Sequence, residues 1–211
     1  MFDRNFILKL AITFVLGFMI SINNCDTGIE LSPDAGILRI TLQSDPSDTS
    51  IVKVTDTLYV SQNDSLSLKI FQGKVYKDTV YTILYKEISS YKQEEITYNI
   101  IKRDSTGYKR FTIFESFVPP LDYDRIRFGI TSDLLEICTL NTADSTYDIS
   151  TTNVQPPEGA NLFVDLYQDF YVSENDTTEI DIQIKSFKSI SRYKDSYQFI
   201  PDVSITNVIY H

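Results

Sequence analysis

Leu38, Ile40 and Leu42 alternate along the chain with Arg39, Thr41 and Gln43. The same period of two returns as Ile126, Phe128 and Ile130 against Arg125 and Arg127, and as Ile180, Ile182 and Ile184 against Asp181, Gln183 and Lys185. Successive side chains of an extended strand point to opposite faces, so each segment buries one face and wets the other. Strand-like composition continues in IVKVTDTLYV, LSLKIF, DTVYTILYK, ITYNII, YKRFTIFE, NLFVDLYQDFYV and SITNVIY. Breaks fall at Asp45-Pro46, Asp104-Ser105-Thr106-Gly107, Pro119-Pro120 and Pro156-Pro157-Glu158-Gly159. Helical periodicity is not sustained anywhere; a single turn fits only around Lys86–Glu94. Strands without helices bury their apolar faces against another sheet. The pattern therefore predicts an all-β fold, an antiparallel β-sandwich of the immunoglobulin or transthyretin-like kind.

The first 25 residues are built differently. Arg4 and Lys9 precede an uncharged apolar run from Leu10 to Ile22, which ends shortly before Cys25. This is the layout of an export signal, and its apolar core is short for a membrane span. Ile22-Asn23-Asn24-Cys25 fits a lipoprotein cleavage site at its aliphatic position, while Asn24 is bulkier than the small residues usual before the cysteine. The reading is a lipoprotein signal peptide over 1–24, lipid attachment at Cys25, a tether over 25–35 and a single β-sandwich domain over 36–211. An ordinary signal peptide or an uncleaved anchor are the alternatives. Acyl chains on Cys25, palmitate among them, each add about 0.8 kcal/mol of membrane affinity per buried CH₂. The expected location is the cell envelope of a bacterium, lipid-anchored and facing either the periplasm or the outside.

Charge and cysteine content narrow the function classes. The formal net charge is −10, and loss of Asp3, Arg4 and Lys9 with the signal makes it one unit more negative. Nucleic acid and anionic headgroups need clustered cations, so neither is an expected partner. Only Cys25 and Cys138 are present, and lipidation of Cys25 leaves no disulfide pair. Within LLEICTL, Cys138 reads as a small buried hydrophobe. The one histidine, His211, is the final residue, which removes Ser–His–Asp and Cys–His arrangements. Zinc spacing, a phosphate-binding glycine loop and a calcium-loop motif are absent from the sequence, and no metal or cofactor is expected. A carboxylate-dependent hydrolase is the remaining catalytic reading, but abundant acids make any pair uninformative. Asp45 and Asp48, beside a turn, are the candidate ligand or ion loop. The expectation is a protein that is not an enzyme.

Two non-catalytic classes remain. A glycan-binding module is suggested by 14 Tyr and 13 Phe, whose rings stack on sugars, and is opposed by the lack of Trp. Tyr76, Tyr81, Tyr85, Tyr91 and Tyr98 show no platform spacing along the chain and read as half-buried strand residues. The other class, an interaction or surface-assembly role, draws on exposed strand edges that extend a partner's sheet. The terminal run VSITNVIYH is an ordinary core strand in the first instance and a donated strand in the second. An internal echo, Tyr59-Val60-Ser61-Gln62-Asn63-Asp64-Ser65 and Tyr171-Val172-Ser173-Glu174-Asn175-Asp176-Thr177, reads as two strand–turn–strand units with hairpin turns.

GILRITLQSDPSD resembles the opening of a bacterial secreted-lipoprotein family known as domain of unknown function 4382. Pro119-Pro120-Leu121-Asp122-Tyr123-Asp124-Arg125-Ile126-Arg127-Phe128 is similar to its central segment. FYVSENDTTEIDIQIKSFKSISRYKDSYQFIPDVSI is similar to its closing pattern. The blocks keep the family's order. In Gln43-Ser44-Asp45-Pro46 the family's acid is displaced by one place, and in Ile182-Gln183-Ile184-Lys185 its two acids are missing. The resemblance implies an envelope β-domain and no activity.

Overall fold

The computed structural model describes residues 33–53, 56–59, 63–92, 95–193 and 196–211, excepting the side chains of 50–53, 56–59, 192 and 193. The expected signal peptide, Cys25 and most of the tether lie outside the described residues. Pro33–His211 forms a compact unit. Among the described residues no helix is long and apolar enough to cross a membrane.

The fold is all-β. Its strands are β1 (Gly36–Ser44), β2 (Ser50–Lys53), β3 (Asp56–Tyr59), β4 (Ser65–Lys77), β5 (Val80–Ile83), β6 (Ile96–Asn99), β7 (Arg103–Asp104) and β8 (Gly107–Tyr108). They continue as β9 (Phe111–Val118), β10 (Asp122–Asn141), β11 (Thr146–Gln155), β12 (Phe163–Tyr171), β13 (Thr177–Ile184), β14 (Ile190–Tyr193), β15 (Ser196–Phe199) and β16 (Val203–Tyr210). A four-stranded sheet has the order β16-β13-β1-β9, and a larger one has the order β14-β15-β11-β10-β4-β5. β12 also pairs with β10, and β6 with β4.

The alternating segments sit as their period requires. Leu38, Ile40 and Leu42 of β1, Ile180, Ile182 and Ile184 of β13, and Ile126, Phe128 and Ile130 of β10 are all buried in one continuous apolar cluster. Full burial of a side chain of this size contributes about 1.5–3 kcal/mol relative to exposure. The two larger sheets meet at aromatic rings. Phe114 of β9 lies edge-on to Phe128 of β10 with centroids 6.1 Å apart. A Cβ on Gly73 of β4 would stand 2.6 Å from the Phe114 ring, so only glycine admits the ring there. Leu84 N–H donates to Gly73 C=O at 2.9 Å, and Tyr85 C=O accepts from Glu115 N–H at 3.0 Å. One residue step thus carries the chain from one sheet to the other.

The sheets are mixed rather than purely antiparallel. β1 runs antiparallel to β9 and parallel to β13 from Ile37↔Thr177 to Ser44↔Ile184. The cause is local: Asn175 N–H reaches Ala35 C=O and Ile37 N–H reaches Asp176 C=O, at 3.4 and 2.9 Å. The 172–176 turn therefore delivers β13 to the end where β1 begins, and both leave in the same direction. β11 and β15 are parallel as well. The sequence echo separates for related reasons. Asn175 takes the positive φ of 59° that its turn needs, but the turn joins strands of different sheets. In the other copy Asp64 is buried, accepting from Cys138 N–H at 2.7 Å, and β3 pairs with β2 rather than β4. Neither copy is a hairpin. No helix forms over Lys86–Lys92, where bend and turn span 86–89. VSITNVIYH supplies β16, paired antiparallel to β13, with Val203, Ile205 and Val208 packed on the core.

Candidate functional site: the free edge of the β10–β11 ribbon

β10 outruns its neighbour. Its pairing with β4 ends at Glu136↔Ser65, whereas its pairing with β11 continues to Asn141↔Thr146. Beyond Glu136 the Asp64 carboxylate takes over, accepting Cys138 N–H. On the far side of β11, the described residues pair only at Val154 and Gln155, with β15. From Thr146 to Asn153 one edge of β11 is thus free among the described residues. Such an edge presents a row of backbone donors and acceptors to any approaching strand.

The ribbon's side chains favour pairing as well. Opposed residues share a face, so Cys138 with Ile149 and Leu140 with Tyr147 form one patch. Leu140, Tyr147 and Ile149 are 50%, 55% and 64% exposed. On the other face Leu135 and Ile137 enter the core. Cys138 is a free, half-buried thiol on the outer patch, not the fully buried hydrophobe its apolar context suggests. The turn is firmly set. Asp144 accepts from Thr146 N–H and Oγ1 at 3.0 and 2.7 Å, and Ser145 takes a φ of 58°. Those bonds from Thr146, side chain first and then backbone, hold the Asp144 carboxyl below its ordinary value.

Asp45 and Asp48 sit together at the end of β1 but are used differently. Asp45 accepts from Ser47 N–H and Oγ at 2.8 and 2.7 Å. Asp48 is buried, and its Oδ2 accepts from Phe187 and Lys188 N–H at 2.7 and 3.2 Å. It ties the segment after β13 to the turn after β1. Among the described residues no three His, Cys, Asp or Glu side chains group to hold a metal.

Two clusters of charge were not legible in sequence. On the outer face of the four-stranded sheet, Arg39 donates to Glu115 at 2.8 Å and Glu179 at 3.2 Å, while Arg110 pairs with Glu179 and Asp181. Hydrogen bonding and attraction from Glu115 and Glu179, partly opposed by desolvation, raise the Arg39 pKa. These residues are adjacent only through the registers of β1, β9 and β13. On the outer face of the larger sheet, Arg125 and Arg127 of β10 flank Asp165 of β12 at 3.7 and 3.9 Å.

No family model, curated protein or solved structure matches the chain.

β11 itself was missed in the sequence because T-Y-D-I-S-T-T-N-V-Q shows no clean alternation. Its signal was composition: Thr, Tyr, Ile and Val favour strands even where neither face is buried.

Proposed function

We propose that the chain is a lipid-anchored, envelope-facing β-sandwich protein with a non-catalytic assembly role, joining a second copy of itself through the free edge of β11. The observation that carries this reading is an edge from Thr146 to Asn153 that is unpaired among the described residues, beside an exposed apolar patch. Two sheets sharing one apolar cluster support the sandwich. The N-terminal export pattern ending in Cys25, and the resemblance to an envelope lipoprotein family, support the location.

A second copy suits the edge for reasons of charge and symmetry. β11 carries a single charge, Asp148, in a chain of net −10. Antiparallel pairing about Ser150 would set Asp148 opposite Thr152 and Ile149 opposite Thr151, so no like charges meet. A two-fold contact uses the same patch twice and closes after two chains. Lipid anchors on one membrane raise the effective concentration for such pairing.

Sedimentation of the full chain in detergent tests the reading. The expected result is a dimer that Thr151→Lys converts to a monomer with unchanged circular dichroism, because edge lysines block strand addition. A monomeric parent chain, or a dimer indifferent to Thr151→Lys, contradicts it.

A further inference from the structure

The outer face of the larger sheet carries a cross-strand row that has no counterpart in sequence spacing. Tyr81 of β5 opposes Tyr76 of β4, Tyr76 opposes Arg125 of β10, and Arg125 opposes Tyr167 of β12. The Arg125 guanidinium lies 4.0 Å from the Tyr76 ring centre and 5.7 Å from that of Tyr167. In the next row, Lys74, Arg127 and Asp165 are opposed in the same way. Lys74 Nζ stands 4.3 Å over the Tyr81 ring, and Arg127 lies 5.0 Å from that of Phe163. A third row is apolar. Phe71 and Phe163 meet edge-on at 5.7 Å, and Phe71 lies over Gly129, where a Cβ would come within 2.2 Å of its ring.

From these rows we infer that this face binds a carboxylated polysaccharide, with Tyr81 and Tyr167 as the stacking rings and Lys74, Arg125 and Arg127 as the carboxylate partners. Charge complementarity selects the ligand class. Among the opposed residues of the first two rows three cations meet one acid, Asp165, on a chain of net −10, so these rows are locally positive. Further along the same face Lys69 is balanced by Asp133 and Glu95, which ends the positive region. The geometry is a flat platform suited to an extended chain. Strands step by about 4.8 Å, a distance comparable with one sugar ring. Tyr167 and Tyr81 are 74% and 49% exposed, so their rings are open to a ligand. Nucleic acid is disfavoured because three cations cannot offset the repulsion between an acidic chain and a dense polyanion.

The platform is separate from the β11 edge, so the two readings fail independently. Affinity electrophoresis of the full chain in detergent, through gels holding polygalacturonate or neutral dextran, tests it. Polygalacturonate is expected to retard the protein and dextran is not. Tyr167→Ala and Arg127→Ala, each with an unchanged melting temperature, are expected to weaken retardation at least tenfold, and added salt to reduce it. Absent retardation, equal retardation by dextran, or retardation indifferent to both variants would overturn the inference. So would binding seen only with a single-stranded oligonucleotide or with anionic vesicles.

Discussion

At the scale of single residues, the same side chain type does unlike work according to what surrounds it. Asp48, whose carboxylate accepts from two backbone N–H groups, is a structural tie between β1 and the segment after β13. Removing a buried acceptor strands its donors, which costs about 1–3 kcal/mol. Asp48→Ala is therefore expected to lower stability by that amount in chemical denaturation, equally with and without added calcium. A loss that appears only with calcium present would instead make this loop an ion site. Leu38, Ile126 and Ile180 were legible because each lies on a strand with one wet and one dry face. Arg39 and Glu179 were not, since their pairing joins positions 140 residues apart through strand register. Tyr76, Tyr81 and Tyr167 were illegible as a group for the same reason, although each reads as a strand residue alone.

At the scale of elements, exposure decides what the sequence announces. β1, β10 and β13 carry a period of two because they are central strands with a core face. β11 carries none, because most of its residues are exposed on both faces. The edge proposed for assembly was therefore poorly visible in sequence. Parallel pairing of β1 with β13 depends on which end of the sheet a turn returns to, a property no local pattern records. β16 is the contrasting case, an edge strand of the four-stranded sheet whose side chains pack on the core. Truncation after Ser204 removes Ile205 and Val208 from the core and the antiparallel partners of Thr178 to Ile182. The expected outcome is loss of cooperative unfolding, measured by circular dichroism on heating. A truncated chain that melts like the parent would place β16 outside the folding unit and favour strand donation.

At the scale of the whole molecule, two surfaces of an acidic chain depart from its overall charge. The ribbon presents apolar side chains beside free backbone, and the outer face of the larger sheet gathers rings and cations. Tethering at Cys25 would hold both surfaces near a membrane while the net charge keeps the remainder solvated. Cys25→Ser is expected to shift the protein from the membrane fraction to the soluble envelope fraction. Unchanged partitioning would identify an uncleaved anchor. Assembly through β11 can be tested with a photoreactive residue at position 149 in the full chain, activated in cells. The expected result is a crosslinked homodimer that disappears when Thr151→Lys is added. Crosslinks only to other proteins, or a homodimer band unchanged by Thr151→Lys, would contradict it.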